Sequence, residues 1–235
     1  MNFPAGMKFL WLAILMLAAT LAAPGQNTIA LPLSGSADRE TATLEKHLQP
    51  ILAALHLADS AQVSQVRAVL AAHLPELNAW HAQHDAELKG FWNAFNRARS
   101  AKDVAGADTA LAQIDGVYAG FQPRHQKFLV SLAAVLSPAQ VETVKDTLTV
   151  NKVAVTYAVY LQIFPTLTEA QKAVVLEKLK AAREQAMDAG SIAEKSAFFK
   201  KYKIQIEDGY LTAQGYDPKQ ARQNFAAQQK AAENK

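Results

Sequence analysis

Six histidines, His47, His56, His73, His81, His84 and His125, are the side chains best matched to chemistry near neutral pH, and none lies beyond residue 125. Three of them interrupt apolar stripes, which step Leu77, His81, His84, Leu88 in one run and Phe121, His125, Phe128 in the next. A helical hairpin roughly symmetric about residue 103 sets His81 opposite His125, with His84 one turn away and Asp85 beside it. Imidazoles at i and i+3, joined by a third from a facing helix, make a candidate three-nitrogen site for a divalent metal. Seam histidines that only hydrogen-bond a carbonyl or carboxylate write the same pattern.

Two further groups carry reactive or charged side chains. Lys195, Lys200, Lys201 and Lys203, interleaved with Phe198, Phe199 and Tyr202, could grip an anionic partner such as an acidic polysaccharide. A helix with aromatics inward and lysines outward gives the same string. Glu184, Asp188, Glu194, Glu207 and Asp208 could supply a carboxylate pair for glycosidic chemistry, although spacing along the chain does not fix separation in space. The sequence has no Ser-centred nucleophile elbow, phosphate loop, dinucleotide fingerprint or His-Glu-x-x-His. With no cysteine, thiol nucleophiles, disulfides and Cys-ligated metal centres are excluded.

The segments carrying these groups read as helices. Leu44, Leu48, Ile51, Leu52 and Leu55 form a first stripe around Pro50. A second run carries Val63, Val66, Leu70, Leu74, Leu77, Leu88 and Phe95, with Pro75 inside it. After a turn at 100–106, Leu111, Ile114, Tyr118, Phe121, Phe128, Leu132 and Val135 continue the pattern, so a long antiparallel hairpin is expected. Leu136-Ser137-Pro138-Ala139-Gln140 and Leu167-Thr168-Glu169-Ala170-Gln171 each read as a capping box, in which a hydroxyl and a glutamine satisfy the first free amides. The stretch 150–164 fits strand or helix; a lone strand would have no partner, so helix is expected. Helices at about 169–188 and 192–214 and a short polar one after Asp217-Pro218 complete the chain.

Composition agrees. Of 235 residues 46 are alanine, and Gly and Pro number only 10 and 9, which favours helix. A formal charge of +3 does not suggest nucleic acid as a partner. Lys8 followed by the apolar run 9–23 reads as a signal peptide over 1–22, with cleavage as late as residue 30. A flexible leader over 23–38 and a single helical domain over 39–235 follow from this reading. The protein is therefore expected to be exported, periplasmic or secreted, with no stable membrane insertion once the signal is removed.

The repeated Leu-(Ser/Thr)-x-x-Gln resembles the signature of the Spy/CpxP-like periplasmic chaperones, small helical proteins that bind unfolded clients or metals. A broader resemblance rests on Val144-Lys145-Asp146, Val155-Thr156-Tyr157 with Tyr160, Pro165-x-Leu167-Thr168, Ala182-Arg183-Glu184-x-Ala186-Met187-Asp188, Lys201-Tyr202-Lys203, and Tyr210-Leu211 with Gly215-Tyr216-Asp217. Together these resemble the bacterial domain-of-unknown-function family 3826, whose members look like exported proteins of polysaccharide-degrading bacteria. The resemblance implies a link to glycan use. It singles out Lys145, Asp146, Thr156, Tyr157, Tyr160, Arg183, Asp188, Lys201 and Tyr202, polar residues beyond the needs of bare helix packing. They could line one cleft, or form an internal network of ion pairs and caps.

The expected protein is thus an all-α helical bundle, with a long N-terminal hairpin and a C-terminal set of shorter helices. It is expected to bind an oligosaccharide or an envelope protein without a cofactor, divalent metal at His81, His84 and His125 being the exception considered. The alternative is a glycan-active hydrolase or lyase using Asp146, Glu184 or Asp188, and the third is a periplasmic chaperone or metal-responsive helical protein.

Overall fold

Capping chemistry writes most of the helix boundaries in the computed structural model, which describes residues 34–233. The signal peptide expected at 1–22, and the leader up to residue 33, lie outside the described residues. Helix α1 (Ser34–Leu55) begins five residues inside the expected leader and runs through Pro50. Helix α2 (Ser60–Ala101) starts where the Asp59 carboxylate accepts from the Ala61 amide, and it carries Pro75 without a break. At 42 residues it is about 63 Å long. It stops at Lys102, whose left-handed φ of 59° turns the chain into Asp103, the cap of α3 (Val104–Ala119).

The third apolar run is two helices, which corrects the expectation of one uninterrupted arm. The chain breaks at Gly120–Phe121 and restarts as α4 (Gln122–Ala133). Pro123 has no N–H to return to the carbonyl of residue 119, and its ring would crowd that carbonyl in a continuous helix. Gly120 and Phe121 instead bond three residues back, to Val117 and Tyr118.

Both capping boxes form. Ser137 opens α5 (Pro138–Leu148) and Thr168 opens α7 (Glu169–Met187), each exchanging hydrogen bonds with the glutamine three residues on. The repeated Leu-(Ser/Thr)-x-x-Gln therefore has a local structural use at both places. Between them, 150–164 is helical, as α6 (Lys152–Ile163). The last long segment is α8 (Ile192–Ile204) followed by a π-helical stretch, Gln205–Leu211. Asp217 caps α9 (Pro218–Glu233), its carboxylate accepting from Gln220 N–H at 2.9 Å.

From Arg39 onward the chain is one compact unit. Its core has two apolar clusters, and α2 contributes to both. One gathers Leu48, Ile51, Val66, Leu70, Phe128, Leu132, Val144 and Met187. The other gathers Trp80, Phe95, Ile114, Phe121, Tyr160, Leu179, Phe198 and Leu211. A fully buried Leu or Ile here contributes about 1.5–3 kcal/mol. Among the described residues all regular structure is helical, with no strand, and no helix is long and apolar enough to cross a membrane.

Candidate functional site

The C-terminal end of α7 falls where the two clusters meet, Met187 belonging to one and Ala186 and Ala189 to the other. Helix ends leave carbonyls without partners, and here side chains from two other helices supply them. Lys195 of α8 donates to the carbonyls of Ala186, Met187 and Ala189 at 3.2, 3.4 and 3.0 Å. His81 of α2 donates from Nε2 to the Asp188 carbonyl at 2.6 Å, and its Nδ1 lies 2.7 Å from the Asp85 carboxylate. Gly190 lets this happen: a Cβ there would lie 2.7 Å from His81 Nδ1. Glu194 closes the loop, accepting from Gly190 N–H at 3.0 Å and Trp92 Nε1–H at 3.3 Å.

The Asp188 carboxylate, 1% exposed, accepts from His125 Nδ1 of α4 at 2.9–3.0 Å. Burial works to lower the His125 pKa, but the Asp188 bond and charge outweigh it and hold the imidazole above its ordinary range. Burial pushes Lys195 down to about 8, against the pull of Asp188 and Glu194. His73, stacked parallel on Phe128 with centroids 3.8 Å apart, is pushed down to about 4 by burial and by the charge of His125.

Asp188 and His125 also line a groove of about 520 Å³ between α3–α4 on one side and α7–α8 on the other. Asp115, Gln122 and Gln126 stand on the first wall, and Glu184, Gln185 and Tyr202 on the second. Each acid is held by a cation. Lys201 grips Asp115 at 2.7 and 2.9 Å and reaches Gln185 at 3.2 Å. Glu184 accepts from Lys145 at 3.0 and 3.2 Å and from Arg183 at 3.3 Å. Arg183, 3% exposed, also bridges to Asp146 at 2.7 Å and Glu142 at 2.5 Å. Tyr118 lines the groove as well, its buried hydroxyl lacking a hydrogen-bond partner of good geometry among the described residues.

The residues singled out from the sequence thus separate into three places. Asp188 and Tyr202 line the groove, and Lys145, Asp146, Arg183 and Lys201 form the ion-pair layer that holds its acids. Tyr160 belongs elsewhere, donating to Glu207 at 2.5 Å. Thr156 and Tyr157, half-buried on α6, do not line the groove.

The expected histidine pairing forms in an altered way. His81 and His125 do come together, but onto the carbonyl and carboxylate of Asp188 rather than onto a common open point. His84 turns away, its Nδ1 donating to Trp80 O at 2.8 Å and its ring stacked on Trp80, beside a shallow hollow of about 430 Å³ between α2 and α3. Among the described residues no group of three or more His, Cys, Asp or Glu is placed to hold a metal ion. The hairpin symmetry brought the helices together correctly; the directions of the rings lay beyond it.

Sequence reasoning missed Asp115, Gln122, Gln126 and Gln185. For the first three the signal was Asp115, Gln122 and Gln126 at helical spacing, with the small Ala119 between them, along the edge of an apolar face. No curated protein is significantly similar to the chain. The family described as Protein of unknown function (DUF3826) matches residues 41–231, and the chain belongs to it.

Proposed function

We propose that this is an exported binding protein for a neutral, hydroxyl-rich ligand, an oligosaccharide segment held in the groove between α3–α4 and α7–α8. One observation carries the reading: each acid lining the groove already has a partner, Asp115 in Lys201, Glu184 in Lys145 and Arg183, and Asp188 in the His125 imidazole. Such a lining offers carboxylate lone pairs already drawn into ion pairs, together with glutamine amides. That suits hydroxyl donors and acceptors better than an ionic ligand. Tyr202 adds a ring face. The volume lies within the range of about 300–1,000 Å³ usual for small-molecule sites.

Calorimetric titration with a panel of neutral tetrasaccharides tests this. Saturable binding is expected, weakened about tenfold, roughly 1.4 kcal/mol, by Tyr202→Ala. Absence of binding across the panel, or binding indifferent to both Tyr202→Ala and Gln185→Ala, overturns it.

A catalytic reading has one specific observation in its favour. His125 is oriented by Asp188 through Nδ1, while the described residues give its Nε2 no hydrogen-bond partner, an arrangement suited to general acid–base work beside Glu184. New reducing ends on prolonged incubation with the same tetrasaccharides, abolished by His125→Gln, would put enzyme in place of binder. A chaperone would present a continuous exposed apolar face. The exposed large apolar residues Val104, Val130, Val150, Val155 and Ile192 sit on five separate segments, and nothing favours that reading.

A further inference from the structure

A second charged cluster lies where α6, the end of α8, the π-helical stretch and α9 come together, and its members are not among the groove's lining residues. Its acid is Glu207, within the π-helical stretch. A π-turn fits an extra residue into the helix and re-aims the side chains around it. Both Glu207 oxygens are taken: Arg222 of α9 donates to Oε2 from Nε at 2.6 Å and to Oε1 from Nη2, and Tyr160 adds its hydroxyl at 2.5 Å. The Arg222 guanidinium also lies 5.9 Å from the Tyr160 ring centroid.

Two lysines are left over. Lys203, on the last turn of α8, and Lys152, the first residue of α6, are half-buried, and neither makes an ion pair or a hydrogen bond among the described residues. Burial depresses both ammonium groups; Arg222 and Lys152 repel Lys203 further, and Glu207 only partly offsets them. Lys203 therefore competes for a carboxylate that Arg222 already saturates, and Lys152 adds a second ammonium beside Lys203. A partly desolvated ammonium without an acceptor is costly, and a fold that needed only stability could have used an apolar residue.

Thr156 points the same way. It lies one turn after Lys152 and one turn before Tyr160, so the three share one face of α6. Thr109, Thr143, Thr147 and Thr149 each return the hydroxyl to a carbonyl four residues back. Thr156 makes no such bond among the described residues, so its hydroxyl remains available one turn from Lys152.

We propose that Lys152, Thr156, Lys203 and Arg222 form a binding site for a tetrahedral oxyanion, a phosphate or sulfate group either free or esterified to a sugar. Two ammonium groups and a guanidinium set against one carboxylate leave an excess of two positive charges, which a dianion matches and a monoanion does not. The hydroxyl supplies a neutral donor to one more oxygen.

The test is calorimetric titration of the full chain with sodium phosphate, sodium sulfate, a hexose monophosphate and a hexose monosulfate, with sodium chloride at equal ionic strength as the control. One saturable site for at least one dianionic probe is expected, at least tenfold weaker in Lys203→Met and in Lys152→Met. Both variants keep the aliphatic stem, and their unliganded melting temperatures are expected to equal or exceed the parent's. Tighter binding of an ester than of its inorganic anion assigns the sugar-linked source; equal binding assigns the free anion. No saturable heat with any of the four probes, or undiminished affinity in both variants, overturns the site. Failure here leaves the groove untouched, since the two sites share no residue.

Discussion

The junction at Asp188 and the cluster at Glu207 are both built around one carboxylate, yet they are finished differently. At Asp188, the carboxylate pairs with His125, the Asp188 carbonyl with His81, and the neighbouring carbonyls with Lys195. Each charge there is met by its opposite or by a helix-end dipole, as tightly buried polar networks require. At Glu207, Arg222 consumes the acid, and Lys203 beside it, with Lys152 beside Lys203, has no partner among the described residues. The first arrangement fixes how α2, α4, α7 and α8 meet; the second is electrostatically incomplete. Each kind of binding has its own place in the molecule. A compensated network can floor a neutral groove, whereas uncompensated charge marks a place for a counter-ion.

Breaking the first region should cost most. Asp188→Ala leaves His125 buried without its carboxylate and is expected to lower the free energy of unfolding by about 3–5 kcal/mol, read from urea denaturation. A loss under 1 kcal/mol would mean that His125 is not held there by charge.

Acid is the next lever. Below the unfolded-state pKa of about 6.5, unfolded chains take up a proton that folded His73 refuses until about pH 4. Stability therefore falls as pH drops through that window, by up to about 2–3 kcal/mol at pH 4.5. His125, whose folded pKa is raised, has the opposite sign: its contribution is complete below about pH 6.5 and is lost as pH rises through the folded value. His73→Phe should therefore flatten the acid limb between pH 7 and 4.5. An unchanged limb would show that other groups govern it.

Gly190→Ala probes the same junction through sterics. The added methyl meets the His81 ring at 2.7 Å, so ring or loop must shift, at a cost of about 1–3 kcal/mol. Loss of the His81 contact should also show in the imidazole resonances by NMR. The smallest effect sharpens the contrast from the other side. Lys203→Met removes a repelled charge and is expected to change stability by no more than about 0.5 kcal/mol, or to raise it. Marked destabilisation would show that Lys203 serves the fold rather than a ligand.

Particular residues show why some of this was legible in the sequence. Ser137, Thr168 and Asp217 announced their helix starts because a cap is satisfied within three residues of itself. The all-helical reading of 150–164 followed from the lack of any partner strand. The break at Gly120–Phe121 was also written locally, in Pro123, beneath an apolar stripe that runs on across it. The π-helical stretch had no such signature, since its residues suit an α-helix equally well.

Local chemistry in the chain determined the helices, their caps and the apolar faces that pack them, because those depend on neighbours three or four positions apart. Tertiary structure alone decided which polar residues meet. Asp188 finds His125 and His81 across 63 and 107 positions, and Lys201 finds Asp115 across 86. A groove lined from four helices depends on the angles at which they cross and the directions their side chains take, and a linear pattern encodes neither.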